Sequence, residues 1–409
     1  MKKSVQIIGA GISGLLCAYH AIEKGYDVEV YDAAAQPGGK IQTLQGKNGP
    51  METAANAILA DQLVESVAQK IGLKLIAKQP IARKRYIYAL GAIRRWPLGI
   101  LDSLRVLRFL FLWKVGALSI QPRTQETLKT WSDRVLSSAI SDRLLGPACQ
   151  GIFGVDTQPL SASLIFNYFF AKTPRTYGEL RGSVAPKDGM GQWVELLVKY
   201  LRSKNVQFHL SKPVSVSADK IVIVATDLKN AVQILKEQND QRAEILSSVS
   251  FVDLVSVNAF YNNRPSSQAA GFGVLFSRSE KLEPLGVLLN SDIFAKRAEQ
   301  AHSETWIFGS QNSEYSQQSD DFFLMSIQAV RQKLWKTLEA PKEFKINRWP
   351  GAIPLYGVEL ENALTSLGKH PSSSGVFLMG NYLGELGLNR LFHSAKSLLD
   401  RIDNAIIKS

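Results

Sequence analysis

The opening stretch of the chain predicts a strand, a glycine-rich turn, a helix and a second strand, and this unit constrains the fold more than any other feature. Residues 5–8, which are apolar except for Gln6, are typical of a buried strand. Three glycines follow in the spacing G-x-G-x-x-G, at Gly9, Gly11 and Gly14. An apolar helix is predicted to end near Gly25, and residues 27–31 alternate as a second strand does. The unit therefore predicts a parallel sheet with helices packed against it.

Each part of this turn has a physical role in binding a dinucleotide. Gly9 allows the tight turn, Gly11 lets the backbone approach a pyrophosphate, and Gly14 lets helix and strand pack closely. The helix N-terminus, where Ser13 lies, offers unpaired N–H groups and a positive dipole end to phosphates. Asp32 ends the second strand 18 residues after Gly14, where a carboxylate accepts hydrogen bonds from a ribose. A flexible glycine loop is the alternative, but the flanking strand, helix and acid favour a dinucleotide site.

A second pair of glycines, Gly38 and Gly39, would bring another backbone loop close to the same phosphates. This arrangement resembles the flavoproteins of the amine oxidase superfamily, in which an acid at the strand end precedes the motif Arg-x-Gly-Gly-Arg. Here Asp32 stands where that family has Glu, Gln36 replaces the first Arg, and Lys40 replaces the second. The resemblance implies that the chain binds FAD, with one phosphate contact fewer than the family pattern.

Later segments indicate that the chain returns to the same domain. Residues 189–201 are typical of an amphipathic helix, and residues 219–235 of a strand, a short turn and a helix. Residues 375–402 combine an apolar strand, three glycines and a closing helix, although such a pair also occurs in other α/β proteins. In the family, this last unit places a helix N-terminus beside the flavin ring. The resemblance implies four further cofactor contacts, at Val214, Gly380, Asn381 and Leu388.

The stretch at residues 83–114 interleaves eight cations and a single carboxylate with bulky apolar side chains. On a helix from about Leu101, three charged residues share a face while the leucines lie elsewhere: Asp102, Arg105 and Arg108. Aromatic residues typical of a membrane interface lie nearby, at Trp96, Phe109, Phe111 and Trp113. This composition favours a segment that rests on an anionic bilayer. A core helix with snorkelling arginines is the alternative.

These patterns predict an α/β protein with a Rossmann-like, discontinuous FAD-binding domain, a mixed-sheet substrate domain and a helical membrane-binding subdomain. Residues from Trp96 to about Thr173 are helix-like, whereas residues 250–310 alternate as strands do, and residues 324–338 predict a helix. The predicted boundaries are 1–78, 186–235 and 371–409 for the FAD-binding domain, 79–95 and 236–370 for the substrate domain, and 96–185 for the helical subdomain.

Seven short motifs follow one another along the chain: KRYIY at 84–88, GIFGVDTQPLS at 151–161, YGELRGS at 177–183, GFGVL at 271–275, LGVLLNS at 285–291, WPGAIPLYG at 349–357 and GNYLGELGL at 380–388. In this order they resemble the oxygen-dependent protoporphyrinogen oxidases over nearly the whole chain. The resemblance implies a flat, apolar tetrapyrrole substrate with two propionates. It also implies that Arg85 binds a propionate and that Leu275 and Phe308 sandwich the macrocycle. A solvated surface cation and two ordinary core residues are the alternatives.

The chemistry that the resemblance implies is dehydrogenation. Hydride leaves a meso carbon for flavin N5, pyrrole N–H protons are lost, and O₂ reoxidises the flavin to give H₂O₂. Three rounds give the aromatic porphyrin, and no side chain is assigned as a catalytic base because the flavin performs the difficult step. Three alternatives stay open: an oxidase of coproporphyrinogen, which has four propionates; a non-catalytic tetrapyrrole-binding protein, suggested by Gln36 and the shortened region at 216–219; and an amine or carotenoid oxidase.

Composition and charge argue against other classes. The net charge of +12 is concentrated at residues 83–114, where cations mix with aliphatic side chains, so no nucleic-acid partner is expected. Two cysteines, Cys17 and Cys149, fit a reducing compartment, and the five histidines show no metal spacing. No signal peptide is expected, because a strand begins almost at the first residue. We therefore expect a cytoplasmic protein attached peripherally to a membrane, with its oligomeric state, a homodimer included, left open.

Overall fold

The computed structural model of the protein describes residues 4–170, 176–212, 214–265, 269–298, 300–370 and 375–407. The strands are β1 (Ser4–Ile8), β2 (Asp27–Asp32), β3 (Thr43–Gln45), β4 (Pro50–Glu52), β5 (Ile58–Leu59), β6 (Leu75–Ala77), β7 (Tyr86–Ala89), β8 (Ala92–Arg94), β9 (Ser183–Pro186), β10 (Gln207–Leu210), β11 (Ile221–Val224), β12 (Phe251–Tyr261), β13 (Gly273–Phe276), β14 (Gly286–Leu289), β15 (His302–Ser310), β16 (Glu343–Pro354) and β17 (Val376–Leu378).

The helices alternate with these strands through most of the chain. They are α1 (Ile12–Glu23), α2 (Gln62–Lys70), α3 (Ile100–Lys114), α4 (Leu128–Val135), α5 (Ser138–Ile140), α6 (Gly146–Phe153), α7 (Ala162–Phe170), α8 (Gly191–Ser203), α9 (Leu228–Glu237), α10 (Arg242–Ser247), α11 (Asn290–Ile293), α12 (Asp320–Trp335), α13 (Val358–Leu367) and α14 (Leu388–Ile407). The predicted α/β class, with a Rossmann-like sheet and a second mixed sheet, is confirmed.

The first sheet is parallel, with the strand order β10-β2-β1-β11-β17. Neighbouring residues of its central strands face two different cores: Ile7 and Ile223 pack with α1, α8 and α14, whereas Val222 and Val224 pack with α9, α10 and α13. All four side chains are fully buried. Helices on both faces explain why β11 is apolar throughout, as parallel strands usually are.

The second sheet is mixed, with the strand order β16-β12-β15-β14-β13-β7-β8. Strand β7 pairs with β13 in parallel and with β8 antiparallel. One face of this sheet is covered by α12, where the ring of Phe308 lies 5.0 Å from that of Phe323. Strand β16 was not predicted, because Pro350 interrupts its alternation. Proline is tolerated there since β16 lies at the edge of the sheet.

Along the chain, helices α3 to α7 lie between the two segments predicted for the substrate domain, and α3 ends at Lys114. The predicted boundary at 185/186 needs correction, because it cuts through β9, which pairs with both β5 and β6. The predicted end of the helical stretch near Thr173 lies outside the described residues. Within the described part of the chain, no helix combines the length and apolarity needed to cross a bilayer.

A buried ion pair joins strand β4 to the segment that precedes β15 of the second sheet. The Glu52 carboxylate accepts a hydrogen bond from Arg297 Nη1 at 2.6 Å, and both side chains are almost fully buried. It also accepts from Thr43 Oγ1 at 2.7 Å and from the N–H of Met190 at 3.0 Å. The carbonyl of Glu52 accepts from Asn258 Nδ2 in β12 at 2.8 Å. One residue thus connects the hairpin β3–β4, the loop before α8 and the second sheet.

Candidate functional site

The carboxyl ends of β1, β11 and β17 meet at one edge of the parallel sheet. The N–H of Ala225 donates to the carbonyl of Ile8 at 2.7 Å, and the N–H of Met379 donates to that of Val224 at 2.9 Å. Gly9 directly follows β1. A Cβ at this position would lie only 2.7 Å from the carbonyl oxygen of Ala225. Ligands of open α/β sheets bind in the crevice outside this edge.

The three glycines of the first turn differ in what surrounds them. A Cβ on Gly14 would lie 1.8 Å from the carbonyl oxygen of Gly9, whereas a Cβ on Gly11 would meet no atom within 4 Å. Gly11 is also the N-cap of α1, and neither a side-chain cap nor an acidic residue occupies the first turn, which contains Ser13. The N-terminal N–H groups of α1 thus face open space, and this arrangement fits the pyrophosphate of a dinucleotide.

The second glycine loop lies directly against the first. The N–H of Gly38 donates to the carbonyl of Ala10 at 2.8 Å, and Gly38 forms a bridge with Gly11. A Cβ on Gly39 would lie 3.4 Å from the Cα of Gly11. Both glycines of this loop have positive φ, which favours glycine. The two loops together therefore present backbone, rather than side chains, to one small volume.

Asp32 already has backbone partners at this edge. Its Oδ2 accepts from the N–H of Ala10 at 2.6 Å and its Oδ1 from the N–H of Ala34 at 2.8 Å. Each carboxylate oxygen has more than one lone pair, so the predicted ribose contact is compatible with these bonds. The aspartate therefore also holds the glycine turn against the end of β2.

Lys40 was expected to contact a phosphate, and the structure gives it a second partner. Its Nζ donates to the carbonyl of Ala352 in β16 at 2.5 Å. Burial lowers the pKa of Lys40, and the nearby carboxylate of Asp227 only partly opposes this. The ammonium has further N–H donors, but its position is fixed by the second sheet. Lys40 therefore connects the phosphate loop to the substrate half of the chain.

The remaining predicted cofactor residues lie around the same sheet. Val214 is half-buried in the segment after β10, which Gln6 of β1 anchors by accepting from the N–H of Ser217 at 2.9 Å. Asn381 follows β17, and its carbonyl accepts a hydrogen bond from Tyr356 Oη at 2.5 Å. Gly380 immediately precedes it, and Leu388 is the first residue of α14. Sequence reasoning missed Tyr356, although it lies in the quoted motif WPGAIPLYG.

Two of the three predicted substrate residues lie on one face of the second sheet. Leu275 pairs with Gly286, and Gly286 pairs with Ile307, so these residues share a face. Leu275 also pairs with Ile87, and Arg85, two residues earlier, continues on the same side. The guanidinium of Arg85 lies 4.6 Å from the ring centroid of Phe272. Phe272 packs against the core of the first sheet, so Arg85 lies where the two sheets meet.

Phe308 lies on the opposite face, which corrects the sequence prediction. It follows Ile307 in β15, so the alternation of the strand turns it away from Leu275. Its side chain is fully buried beneath α12. Leu275 and Phe308 therefore cannot hold opposite sides of one flat ring, and Ile307, which is half-buried, occupies the position that faces the cleft side.

Helix α6 and the residue that ends it, Gly154, pack closely against the face of the second sheet that carries Leu275. A Cβ on Gly151 would lie 2.9 Å from Leu275 Cδ2, and one on Gly154 would lie 2.6 Å from Leu254 Cδ2. The N–H of Ser161 donates to the carbonyl of Tyr356 at 2.8 Å. The motifs at 151–161, 271–275 and 349–357 thus meet in space, although they are far apart in the chain.

His393 makes a structural contact between two helices. Its Nε2 lies 3.0 Å from Asp61 Oδ2, and Asp61 caps α2 by accepting from the N–H of Val64 at 3.0 Å. Burial alone would raise the pKa of Asp61, but the bonds from His393 and Val64 lower it. The pair therefore fastens α14 to α2. In the described residues, no group of three or more His, Cys, Asp or Glu side chains could hold a metal ion.

The fold and this edge define a dinucleotide-binding α/β protein with a separate substrate sheet. The family model for flavin containing amine oxidoreductases matches residues 12–395. The chain belongs to this family and is an FAD-dependent oxidoreductase. The glycine loops, the free N-terminus of α1 and Asp32 would hold FAD, and the resemblance recognised from the sequence is confirmed.

Several relatives match nearly the whole chain. The chain is 24% identical to protoporphyrinogen oxidase 2, chloroplastic/mitochondrial, of Arabidopsis thaliana, over 98% of this chain and 94% of that protein. It is 26% identical to the chloroplastic protoporphyrinogen oxidase of Oryza sativa subsp. japonica, over 98% and 88%. The human protoporphyrinogen oxidase is 24% identical over 73% and 75%.

Solved structures with the same fold carry several different names. A protein of Exiguobacterium sp. 255-15, provisionally named protoporphyrinogen oxidase, matches with a TM-score of 0.77, 18% identity and 99% coverage of both chains. Reduced UDP-galactopyranose mutase matches with a TM-score of 0.74 and 14% identity, over 99% of this chain and 94% of that one. At these identities the structures show the fold alone.

The different surroundings of Gly11 and Gly14 give a matched pair of variants. Gly11→Ala should fold normally but bind FAD at least about tenfold more weakly, because its methyl group would enter the space for the pyrophosphate, a loss of roughly 1.4 kcal/mol. Gly14→Ala should instead lower the unfolding temperature of the FAD-free protein, because its methyl group would overlap the Gly9 carbonyl. Flavin fluorescence titration and thermal unfolding measure the two effects. Full FAD affinity in Gly11→Ala would contradict the placement of the pyrophosphate.

Proposed function

We propose that the protein is an FAD-dependent oxidase that converts protoporphyrinogen IX to protoporphyrin IX in haem biosynthesis, with O₂ as acceptor and H₂O₂ as by-product. The observation that carries the proposal is the near full-length match to proteins named protoporphyrinogen oxidase. A cation on the face of the second sheet, next to the cofactor half, supports it further.

Arg85 has the properties of a carboxylate-binding residue. Its side chain is exposed, and within the described part of the chain no carboxylate lies within 4.0 Å of its guanidinium. The guanidinium is therefore free to bind a carboxylate of a ligand. The planar guanidinium can hold a propionate through two parallel hydrogen bonds.

The chemistry is divided between cofactor and chain. FAD, when bound, supplies a hydride acceptor for the meso carbons of the porphyrinogen. Arg85 would orient the macrocycle by one edge, while Leu275 and Ile307 would provide apolar contacts beside it. Tyr356 fixes the backbone of Asn381, which the family places beside the cofactor. Removal of three hydride and proton pairs, matched by reduction of three O₂ molecules, gives the aromatic product.

Two other functions would use the same site. Coproporphyrinogen has four propionates and would need cations around the whole macrocycle rather than at one edge. A tetrapyrrole-binding protein without oxidase activity would also fit the sheet, since Gln36 replaces the first arginine of the flavin motif. A yellow protein that oxidises a porphyrinogen would exclude the second alternative.

The proposed location is the cytoplasmic face of a membrane, with α3 as the contact. The apolar side chains on its outer surface are unusually exposed: Ile100, Leu101, Leu104, Leu107, Leu110 and Phe111. Arg105 and Arg108 are exposed among them, while Asp102 turns inward to accept from Ser137 Oγ at 2.9 Å. Leucines therefore face outward together with arginines, which favours a bilayer surface over a core helix. A homodimer is compatible with this arrangement.

The purified protein should be yellow and should oxidise protoporphyrinogen IX faster than coproporphyrinogen. The rise of porphyrin fluorescence, with and without added FAD, measures both reactions. A colourless protein that stays inactive with added FAD would contradict the proposed activity.

Arg85→Ala should raise KM for protoporphyrinogen IX about tenfold or more, because a charge-assisted contact to a propionate is worth roughly 1.5–3 kcal/mol. The flavin absorbance should be unchanged, since Arg85 lies outside the phosphate loops. The exposed Lys74 provides the control substitution Lys74→Ala, which should behave as the wild type. An unchanged KM in Arg85→Ala would reject the propionate contact.

Vesicles that contain anionic lipid should retain the protein, and added salt should weaken this binding because surface charges are screened. Leu107→Asp should weaken retention, whereas Leu338→Asp should not. The two leucines are matched, since each is 62% exposed, but Leu338 lies far from α3 in the sequence. Sedimentation that ignores lipid charge, salt and Leu107→Asp would reject the membrane contact.

A further inference from the structure

The strand order of the first sheet fixes the direction in which a bound dinucleotide would extend. The glycine turn that would hold the pyrophosphate follows β1, and Asp32, which would hold the ribose of the adenosine half, ends β2 on one side of it. Strands β11 and β17 lie on the other side of β1. The flavin half would therefore lie over the carboxyl ends of β11 and β17, next to the segment that follows β17.

The segment between β17 and α14 brings the start of a second helix to this edge. Gly384 and Gly387 have positive φ, at 87° and 108°, so the backbone turns sharply before α14 begins at Leu388. Helices α14 and α1 pack in the same core, and each follows a strand of the parallel sheet, so both begin at the same edge. The positive end of the α14 dipole would therefore lie beside the flavin half, as that of α1 lies beside the pyrophosphate.

Arg390 lies in the first turn of α14, where the helix dipole makes a cation unfavourable. This turn, residues 388–391, contains no acidic residue that would compensate for the cation. Arg390 Nη2 instead donates to the carbonyl of Tyr168 in α7 at 2.7 Å, and the guanidinium lies 4.1 Å from the centroid of the Tyr168 ring. Helix α7 therefore holds this cation in one place, close to the positive end of α14.

Glu385 supplies the opposite charge from the other side of Gly387. Its Oε2 accepts from Arg390 Nη1 at 3.4 Å, which is longer than most charge-assisted hydrogen bonds. The side chains of Arg390 and Glu385 are 27% and 40% exposed, so water screens the two charges only in part. Because both lie at the start of one helix, each would act on a charge that forms over the ends of β11 and β17, and with opposite sign.

Tyr356 lies within the electrostatic reach of both charges. Its Oη donates to the carbonyl of Asn381, in the segment that follows β17, at 2.5 Å. Burial raises the pKa of Tyr356 well above its usual range, Glu385 raises it further, and Arg390 opposes this rise. The two side chains therefore already influence a third group on the segment that borders the flavin half.

We propose that Arg390 and Glu385 set how strongly the bound flavin holds negative charge. Reduction by a hydride, which is two electrons and one proton, adds one negative charge to the flavin ring. Arg390, together with the positive end of α14, would stabilise this charge, whereas Glu385 would destabilise it. The pair would therefore adjust the reduction potential between uptake of hydride from a substrate and transfer of electrons to an acceptor. This inference rests on the binding of FAD at this edge and not on the identity of the substrate.

Sulfite tests this inference in the holoenzyme, because it adds reversibly to N5 of the oxidised flavin. The new S–N bond uses the electron pair of sulfite, so the adduct places negative charge on the ring without a proton or a further reactant. At pH 7, Arg390→Gln should raise the dissociation constant of sulfite about tenfold and Glu385→Gln should lower it about tenfold, a change of roughly 1.4 kcal/mol in each case. The loss of flavin absorbance during titration measures both constants.

The variants control for structural effects. Arg390→Gln and Glu385→Gln break the same ion pair, so a purely structural effect would shift the sulfite constant in the same direction in both. Arg390→Lys keeps the charge and should stay near the wild type. Lys396→Gln removes a cation farther along α14, where Lys396 pairs with Asp400 at 2.9 Å, and should leave the constant unchanged. The two-electron midpoint potential should fall by about 30 mV in Arg390→Gln and rise by about 30 mV in Glu385→Gln.

Sulfite constants and potentials that stay unchanged in both variants, or that shift in the same direction, overturn the inference. If Arg390→Gln does not retain FAD, Glu385→Gln decides alone, since an unchanged sulfite constant there also overturns it. These measurements need no porphyrinogen. An active enzyme with unchanged constants in the variants leaves the proposed function standing without this inference. Opposite shifts in a protein that oxidises no porphyrinogen support the inference and reject the proposed function.

Discussion

The buried contact between Glu52 and Arg297 is the constraint on which the arrangement of the two sheets depends. The Glu52 carboxylate joins three distant chain segments, and both charged groups are almost fully buried. While the sheets stay packed neither group can be hydrated, so loss of one partner would leave the other as an uncompensated buried charge. Thr53, the next residue, accepts hydrogen bonds at its carbonyl from Trp349 Nε1 at 2.8 Å, and its Oγ1 donates to the carbonyl of Lys40 at 2.8 Å. The second sheet is therefore tied to the phosphate loop itself.

This connection explains how a cofactor held mainly by backbone can be aligned with a substrate on another sheet. The glycine loops would hold FAD through their backbone. The glycines themselves have no side chain that could reach the second sheet. Lys40, bound to Ala352, and Tyr356, bound to Asn381, supply the cross-links on either side of the crevice. Both cross-links involve β16 or the residues just after it, so this edge strand would set the distance between cofactor and substrate.

Much of this could be predicted from sequence, and the failures have physical causes. The spacing of Gly9, Gly11 and Gly14 could be recognised because the three lie in one short turn, where a Cβ on Gly14 would overlap the carbonyl of Gly9. The role given to Phe308 depended on register, and a shift of one residue moves a side chain to the other face of a sheet.

Arg85 directly precedes the hairpin β7–β8, and α3 follows this hairpin in the chain. Strand β8 pairs with β7 so that Arg94 lies opposite Ile87, and the chain returns past the level of Arg85 before α3 begins at Ile100. A tetrapyrrole with its carboxylates at one edge would rest at a bilayer surface with that edge toward water. Entering from that surface, it would meet cations only where its carboxylates already point. On the proposed function, the cations of residues 83–114 would thus divide their roles: those on α3 would attract an anionic membrane, and Arg85 would orient the substrate.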